Sequence, residues 1–573
     1  FFFFFFFFFF FFFFFFYQKH MSRVVALAQV YATPGGNASG SAALLNGTLC
    51  ALDFWLRRNY HNPNWWWNEI GIPQDMAQAC MLLDGHLSAW QQAASAAIME
   101  QADGHSATGA NLVWETNVAL MRALLQANAS LVASTYAKIY HDVVVVAQGA
   151  EGVQADGSFH QHGPELLAMS YGAAFSENVL QLAAFASGTQ FYMTPAQVAT
   201  LSLLVLDGQA WMTVRDKAVD WSVVGREVTR PPAHPQNDMA LPDLLNVSSP
   251  RHPEYVALVA RLNGSAPDTL NGFRAYYDSD YAVWRRPGWT LTLRMYSNRT
   301  VNARCVNSEG LKSQHTADGV LNIYQRDGGQ YYGIFPLWRW SRLPGITAID
   351  DDALLNCGNT FRATDASFVL ALSDNHTGLA AQHLSTPDLQ ALKSWYFFEH
   401  VLVCIGRNIS VSPHTTLPAL TTLQSRLLWP NDTVSVHFAN GSTAVLPRGE
   451  HTLTGVRSVL HDGVAYVLDA EQPPHLLLSN GDRTGNWASI GTSSGNTTAP
   501  VFELAMPHTP ASATYTYKVS IKKKLENKKK RGGGGKEEEK ERKKKERKRK
   551  GGGRGGGGGV KKEKKERGEK AGE

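Results

Sequence analysis

The sequence predicts a multidomain chain in which a helical half precedes an antiparallel β half, and two observations carry that prediction. Up to about residue 245 apolar residues recur at helical spacing in alanine-rich runs. Beyond about residue 254 they alternate in short runs punctuated by Asp318-Gly319, Asp327-Gly328-Gly329 and Asn440-Gly441 turns. With 573 residues the chain has room for two to four domains and a large core.

Taken in order, residues 1–20 open with the pure phenylalanine tract Phe1–Phe16. It is shorter than a bilayer span, follows no basic region and precedes no cleavage site, so it reads as a gene-model artefact and not as a signal peptide or membrane helix. Residues 21–245 form the helical half, with helices expected at Met76–Met99, Asn111–Tyr140, Gly172–Ala186, Pro195–Val205 and Gln209–Val219. Pro231-Pro232-Ala233-His234-Pro235 ends the series, and residues 246–253 read as a linker. Residues 254–520 form the β half, with strands expected within Trp289–Met295, Tyr331–Phe335, Val401–Ile405, Thr433–Phe438 and Val464–Leu468, the pattern of a large antiparallel sandwich. Residues 521–573 are almost entirely Lys, Glu, Arg and Gly and are expected to be disordered, making both ends low-complexity.

The tail masks the charge of the body. From Lys522 it holds 24 basic and 10 acidic residues, leaving 30 basic and 39 acidic of the chain's 54 and 49. A basic tail points to nucleic acid, but nothing in the folded part resembles a nucleic-acid module. An acidic body must gather its arginines locally to hold a polyanion. There is no Walker loop, Rossmann glycine pattern or HExxH, and Asp350-Asp351-Asp352 reads as a solvated turn, so no cofactor or metal is expected. Five cysteines (Cys50, Cys80, Cys305, Cys357, Cys404) are too few and scattered for a disulfide framework. Asn-x-Ser/Thr begins at 11 of the 28 asparagines (Asn37, Asn46, Asn128, Asn246, Asn263, Asn298, Asn375, Asn408, Asn431, Asn440 and Asn496), at least about twice the chance rate, which points to a secreted glycoprotein. With no signal peptide in view, a chain incomplete at its start is expected.

The chemistry concentrates in Asp156-Gly157-Ser158-Phe159-His160-Gln161-His162-Gly163-Pro164, a loop by its turn formers, and in Tyr171 on the helix that follows. A loop His facing a helical Tyr suits proton transfer; it also suits a buried loop whose histidines only satisfy backbone groups. Three further stretches weigh on the choice: Asn64-Trp65-Trp66-Trp67-Asn68 with Thr108-Gly109-Ala110-Asn111 upstream, then Gly225-Arg226-Glu227-Val228-Thr229-Arg230, then Trp338-Arg339-Trp340-Ser341-Arg342-Leu343-Pro344-Gly345. In this order, from about Asn59 to Tyr517, the set resembles the polysaccharide lyases of family 8, which includes hyaluronate, chondroitin AC and xanthan lyases. His-Gln-His-Gly is most similar to the chondroitin AC side.

The resemblance implies an incomplete α/α toroid followed by stacked antiparallel sheets, and β-elimination on a uronic-acid polysaccharide, by a monomer needing neither membrane nor nucleic acid. It implies that Asn111 and His162 bind the uronate carboxylate, that Tyr171 moves the proton, and that Arg226 or Arg230, here taken as Arg230, lowers the tyrosine pKa. It further implies that Glu309 reaches in from the β half to orient His162 or an arginine, and that Asn64, Trp65 and Trp66 meet the sugar rings. Residue chemistry alone leaves Asn111 open as a helix N-cap and the arginine pair open as a surface helix face. Compared with the family's pattern, helices before the tryptophans and a small β-domain after Tyr515-Thr516-Tyr517 are missing, so truncation at both ends is expected.

Overall fold

A computed structural model describes residues 19–521 apart from 103–107, 216, 232–235, 238, 240, 303, 326–327, 353–359, 469–474 and 510–512. The phenylalanine tract and the basic tail lie outside the described residues. So do Cys357 and most of the proline run at 231–235.

The helical half starts with a helix over 19–32 and continues through Ala42–Leu56, Ile72–Leu82, Ala89–Met99, Gly109–Leu125, Ala129–His141, Tyr171–Phe185 and Pro195–Ser202. Local sequence sets the starts. Ser88 with Gln91 and Thr194 with Gln197 form reciprocal capping boxes, each satisfying two orphan backbone donors. Two expected long helices are each two helices. Met76–Met99 breaks at Asp84-Gly85, where Gly85 turns left-handed, and Asn111–Tyr140 breaks at Ala127, also left-handed, before Asn128 caps the next helix. The expected helix Gln209–Val219 is mostly not one. A π-helical stretch, Leu203–Gln209, runs into a single turn at Ala210–Met212, and strand Thr213–Arg215, which starts with β-branched Thr213 and Val214, then pairs in a hairpin with Ala218–Val219. The end of the linker reading needs correction, because helix His252–Leu262 takes its last two residues and extends into the expected β half. Pro253 sits in its first turn, where its missing N–H costs nothing, so the proline starts a helix there.

The β half begins at Gly272. Strands Gly272–Tyr276, Tyr281–Arg286, Trp289–Arg294 and Val320–Gln325 form an antiparallel meander. A nine-stranded antiparallel sheet runs from Val369–Ser373 at one edge, through Val401–Val411 and Tyr515–Ile521, to Thr443–Val445 at the other. A five-stranded sheet with Ala419–Leu427, Asn496–Pro507 and Leu476–Asn486 at its centre faces it across a shared apolar core that includes Trp284, Trp395, Leu423, Tyr466 and Phe502. Of the strands expected from sequence, Tyr331–Phe335 is instead 3-10 turns around Gly333.

What matters for the site is the join between the halves. A second core runs from Phe159, Phe175 and Val179 of the helical half to Tyr276, Tyr281, Tyr324 and Trp338 of the β half. Buried Asp220 accepts hydrogen bonds from Tyr281 (2.7 Å), Tyr324 (2.8 Å), Asn322 (3.0 Å) and Ser222 (2.7 Å), and Trp221 Nε1 donates to Asn322 at 2.9 Å. Arg294, fully buried, donates to the carbonyls of Leu166 and Ser222. These bonds fasten the segments on either side of Tyr171 and Arg226 to the β meander, and losing one would strand the others in a dry interior. Trp338-Arg339-Trp340-Ser341-Arg342 belongs to this join: Trp338 packs at a tilt against Trp221, centroids 4.9 Å apart, and Arg342 pairs with Asp350 and Glu503. Asp350 and Asp352 are thus engaged by Arg342 and Lys312, and not left as a solvated turn. No helix among the described residues is long and apolar enough to cross a membrane.

Candidate active site

The histidine loop is a short hairpin, Gly152–Val153 against Phe159–His160, closed by the Asp156-Gly157 turn with Ser158 N–H on Asp156 Oδ1 at 2.9 Å. Beyond it the chain swings into the left-handed region at His162 (φ +63°) and Gly163 (φ +81°). A left-handed histidine costs on the order of 1 kcal/mol and persists only where its surroundings hold it. Arg304 does part of this, donating to the His162 carbonyl at 3.3 Å. The outcome is that the His162 ring meets the Tyr171 ring edge-on, centroids 4.7 Å apart. Burial, reinforced by the Arg304 and Arg226 charges, holds the His162 pKa down to about 3. The imidazole is therefore neutral at ordinary pH, and its buried Nε2 has no hydrogen-bond partner among the described residues.

Tyr171 is the first residue of helix Tyr171–Phe185, so its side chain projects from the helix start toward the loop. Arg226 Nη2 donates to its hydroxyl at 3.0 Å. Here the structure corrects the choice made from sequence: the guanidinium on the phenol is that of Arg226, while Arg230 bonds Glu309 and Glu227. The pair is not on an α-helical face either, because Gly225–Thr229 is a 3-10 turn. Glu309 joins the two arginines. Arg230 grips it bidentately (Nε 2.7 Å, Nη2 2.9 Å), and Arg226 Nε donates to it at 3.1 Å. Burial pushes the Glu309 pKa up, but the bonds and charges of Arg230 and Arg226 outweigh that and hold it below the usual carboxylate range. A tight turn presents it: Asn307, Ser308 and Gly310 are all left-handed, and a Cβ on Gly310 would strike the Arg304 carbonyl at 2.5 Å.

Asn111 lies in the first turn of helix Gly109–Leu125, whose N-cap is Thr108, so the cap reading of Asn111 does not hold. Its Oδ1 is buried without a partner among the described residues. Gln161, the residue before His162, accepts the Ala110 N–H at 3.1 Å, which ties the asparagine turn to the histidine loop. One turn on, Trp114 packs against Tyr171 (6.1 Å) and against Trp66 (5.9 Å), so an aromatic line runs from Trp66 through Trp114 and Tyr171 to His162. Trp65 is 48% exposed. Asn64 is exposed, and its Oδ1 accepts the Trp66 N–H at 3.2 Å, closing the turn that displays the tryptophans. Sequence reasoning missed Trp114 and Arg304. The signal for Trp114 was its place at i+3 from Asn111, on the same helix face; nothing local marked Arg304.

A neutral amide whose Nδ2 can donate, a neutral imidazole, a phenol held by a guanidinium, and an exposed aromatic run together suit an anionic sugar polymer whose carboxylate gains charge during reaction. Fold and site define the class: a polysaccharide lyase. Residues 16–254 match the N-terminal α-helical domain of polysaccharide lyase family 8 and residues 271–531 match its super-sandwich domain, and the chain belongs to that family. It is 29% identical to a chondroitinase-AC of Pedobacter heparinus over 87% of this chain and 72% of that protein. It is 26% identical to a xanthan lyase of a Bacillus species over 86% of this chain and 58% of that one. A solved chondroitinase AC lyase, described with oligosaccharide complexes, matches with a TM-score of 0.82 at 27% identity, covering 88% of this chain and 76% of that one. The fold of a Paenibacillus xanthan lyase matches with a TM-score of 0.78 at 22% identity, over 89% and 54% of the two chains.

Proposed function

We propose that the protein cleaves a uronic-acid polysaccharide, a glycosaminoglycan of the chondroitin or hyaluronan kind, by β-elimination. The observation that carries this is Tyr171, its hydroxyl on the Arg226 guanidinium and its ring edge-on to that of His162. A free phenol titrates at about 10, so serving as a base near pH 7 costs roughly 4 kcal/mol unless phenolate is stabilised. Arg226 supplies a fixed positive charge at the required atom, and arginine does not give up its own proton. Tyr171 takes the proton from C5 of the uronate. The electrons left behind form the C4–C5 double bond as the C4–O4 bond breaks, and Tyr171 returns the proton to the leaving O4. Charge builds meanwhile on the C5 carboxylate, where Asn111 and neutral His162 donate hydrogen bonds. Glu309 holds both arginines in place, and Trp65 and Trp66 stack on the sugar.

Secretion is part of the reading. All eleven sequon asparagines are exposed, and Cys305 is disulfide-bonded while Cys50, Cys80 and Cys404 are free. All of the proposed site residues lie on one chain, so a monomer suffices. The test is a panel of uronate polymers (chondroitin, hyaluronan, xanthan and an algal uronate) followed at the ultraviolet absorbance of the unsaturated product. Absorbance with chondroitin or hyaluronan is the expected result. Absorbance with xanthan or the algal polymer alone would keep the reaction and change the substrate. Binding without absorbance on any polymer would leave a carbohydrate-binding protein.

A further inference from the structure

We propose that Glu151 is a positioning residue of this site, its one carboxylate fixing the segments that carry Asn111 and His162 relative to each other; this rests on the site reading above. Oε1 of Glu151 accepts the N–H of Gly163 at 2.8 Å, immediately after the left-handed His162. Oε2 accepts the Thr108 hydroxyl at 2.6 Å and the Gln161 amide Nε2 at 2.5 Å. Thr108 is the N-cap of the Asn111 helix, yet its side chain does not cap that helix and turns to Glu151 instead. The cap is supplied from outside: Asp142 accepts the Gly109 N–H at 2.6 Å, and Gln161 Oε1 accepts the Ala110 N–H at 3.1 Å. By taking the Gln161 amide nitrogen, Glu151 decides which end of that amide faces the helix. The fit is close, since a Cβ on Gly109 would stand 2.2 Å from Gln161 Oε1.

Two donors that must meet one substrate carboxylate therefore hang from one protein carboxylate. A misplacement of about 1 Å at such a site costs roughly a hundredfold in rate while leaving sugar stacking intact. Glu151 touches no reacting atom in this scheme, so its effect must pass through Asn111 and His162.

The test measures kcat and KM of the full chain. Glu151→Ala should lower kcat by about thirtyfold or more with KM within about threefold of the parent. Glu151→Gln, which keeps one acceptor oxygen, should recover part of the loss. Introduced into His162→Ala, Glu151→Ala should cost clearly less than it does in the parent, because one of the two groups it positions is gone. Thr108→Val removes a single partner and serves if Glu151→Ala fails to fold: a drop in kcat that vanishes in an Asn111→Ala background supports the proposal, and an unchanged kcat overturns it. Full kcat in Glu151→Ala, or an equal loss in the parent and His162→Ala backgrounds, also overturns it. Tyr171→Phe is run beside these. If it stays active, the site reading fails; if it is dead while Glu151→Ala is fully active, only the role of Glu151 fails.

Discussion

On one side of the site the charges already answer each other, and on the other side little is paired. Arg226, Arg230 and Glu309 form a closed set of hydrogen bonds, with Glu309 side chain about one-tenth exposed and drawn on by both guanidinium groups. The tryptophan side offers faces instead: Trp65 stands half in solvent, and the ring contacts of Trp66 among the described residues are with Trp67 and Trp114. The difference follows from what each side is for. Charge meant to stabilise a transition state works best when it is fixed beforehand and needs no reorganisation. A stacking surface gains its energy from area that the ligand itself covers, so it must be left open.

The contrast breaks first at Tyr171. Tyr171→Phe keeps the ring against Trp114 and His162 but removes the transferring oxygen, and should lower kcat by at least about a thousandfold with polymer binding nearly unchanged. Retained turnover would shift the proton to another group, and neutral His162 would be the first to examine. Next, the arginines should separate. Arg226→Ala should cost about a hundredfold in kcat, since it removes the donor on the phenol. Arg230→Ala should cost about tenfold, since its guanidinium bonds Glu309 and Glu227 and not the phenol; equal losses would mean that Arg226 has no special place. Asn111→Ala should resemble the tyrosine variant in lowering kcat more than it raises KM. On the open side, Trp66→Ala should raise KM about tenfold with turnover at saturation largely kept. A loss confined to kcat there would make the tryptophan run part of the charged side.

The smallest effect is on stability. Burial holds the His160 pKa down to about 3, with Arg294 adding to it, so between pH 6.5 and 3 the unfolded chain binds a proton that the folded chain refuses. Stability therefore rises with pH across that window, and acidifying from 6.5 to 5 should cost about 2 kcal/mol through this group. Melting temperatures of the parent and of His160→Gln at pH 5 and pH 7.5 check it. The variant should show a shallower fall, whatever its absolute stability.

Much of this was legible in the chain. The order of a helical half before a β half came through, because periodicity is a local property of each element, while the boundary lay later than expected, after helix His252–Leu262. The breaks within long helical runs did not come through; one falls at Ala127, left-handed although alanine is the strongest helix former. Pro253 misled for a related reason: a proline ends one helix or begins another depending on which turn it occupies. The family motifs pointed to the residues around Tyr171 but not to which arginine faces it. That depends on a 3-10 turn and on a glutamate 79 residues away from Arg230.

The two histidines of His-Gln-His draw the line most sharply. Residue types and spacing determined that a loop rich in proton-carrying groups would precede a helix bearing Tyr171. They could not say which histidine serves. His160 ends a strand, is fully buried and has Nε2 2.7 Å from Ser279 Oγ of the β half, so it builds the join between the halves. His162, two residues on, is turned by a left-handed backbone to put its ring against Tyr171. Sequence fixes what each side chain can do; the backbone conformation and the partners arriving from the other half of the chain decided which one faces Tyr171.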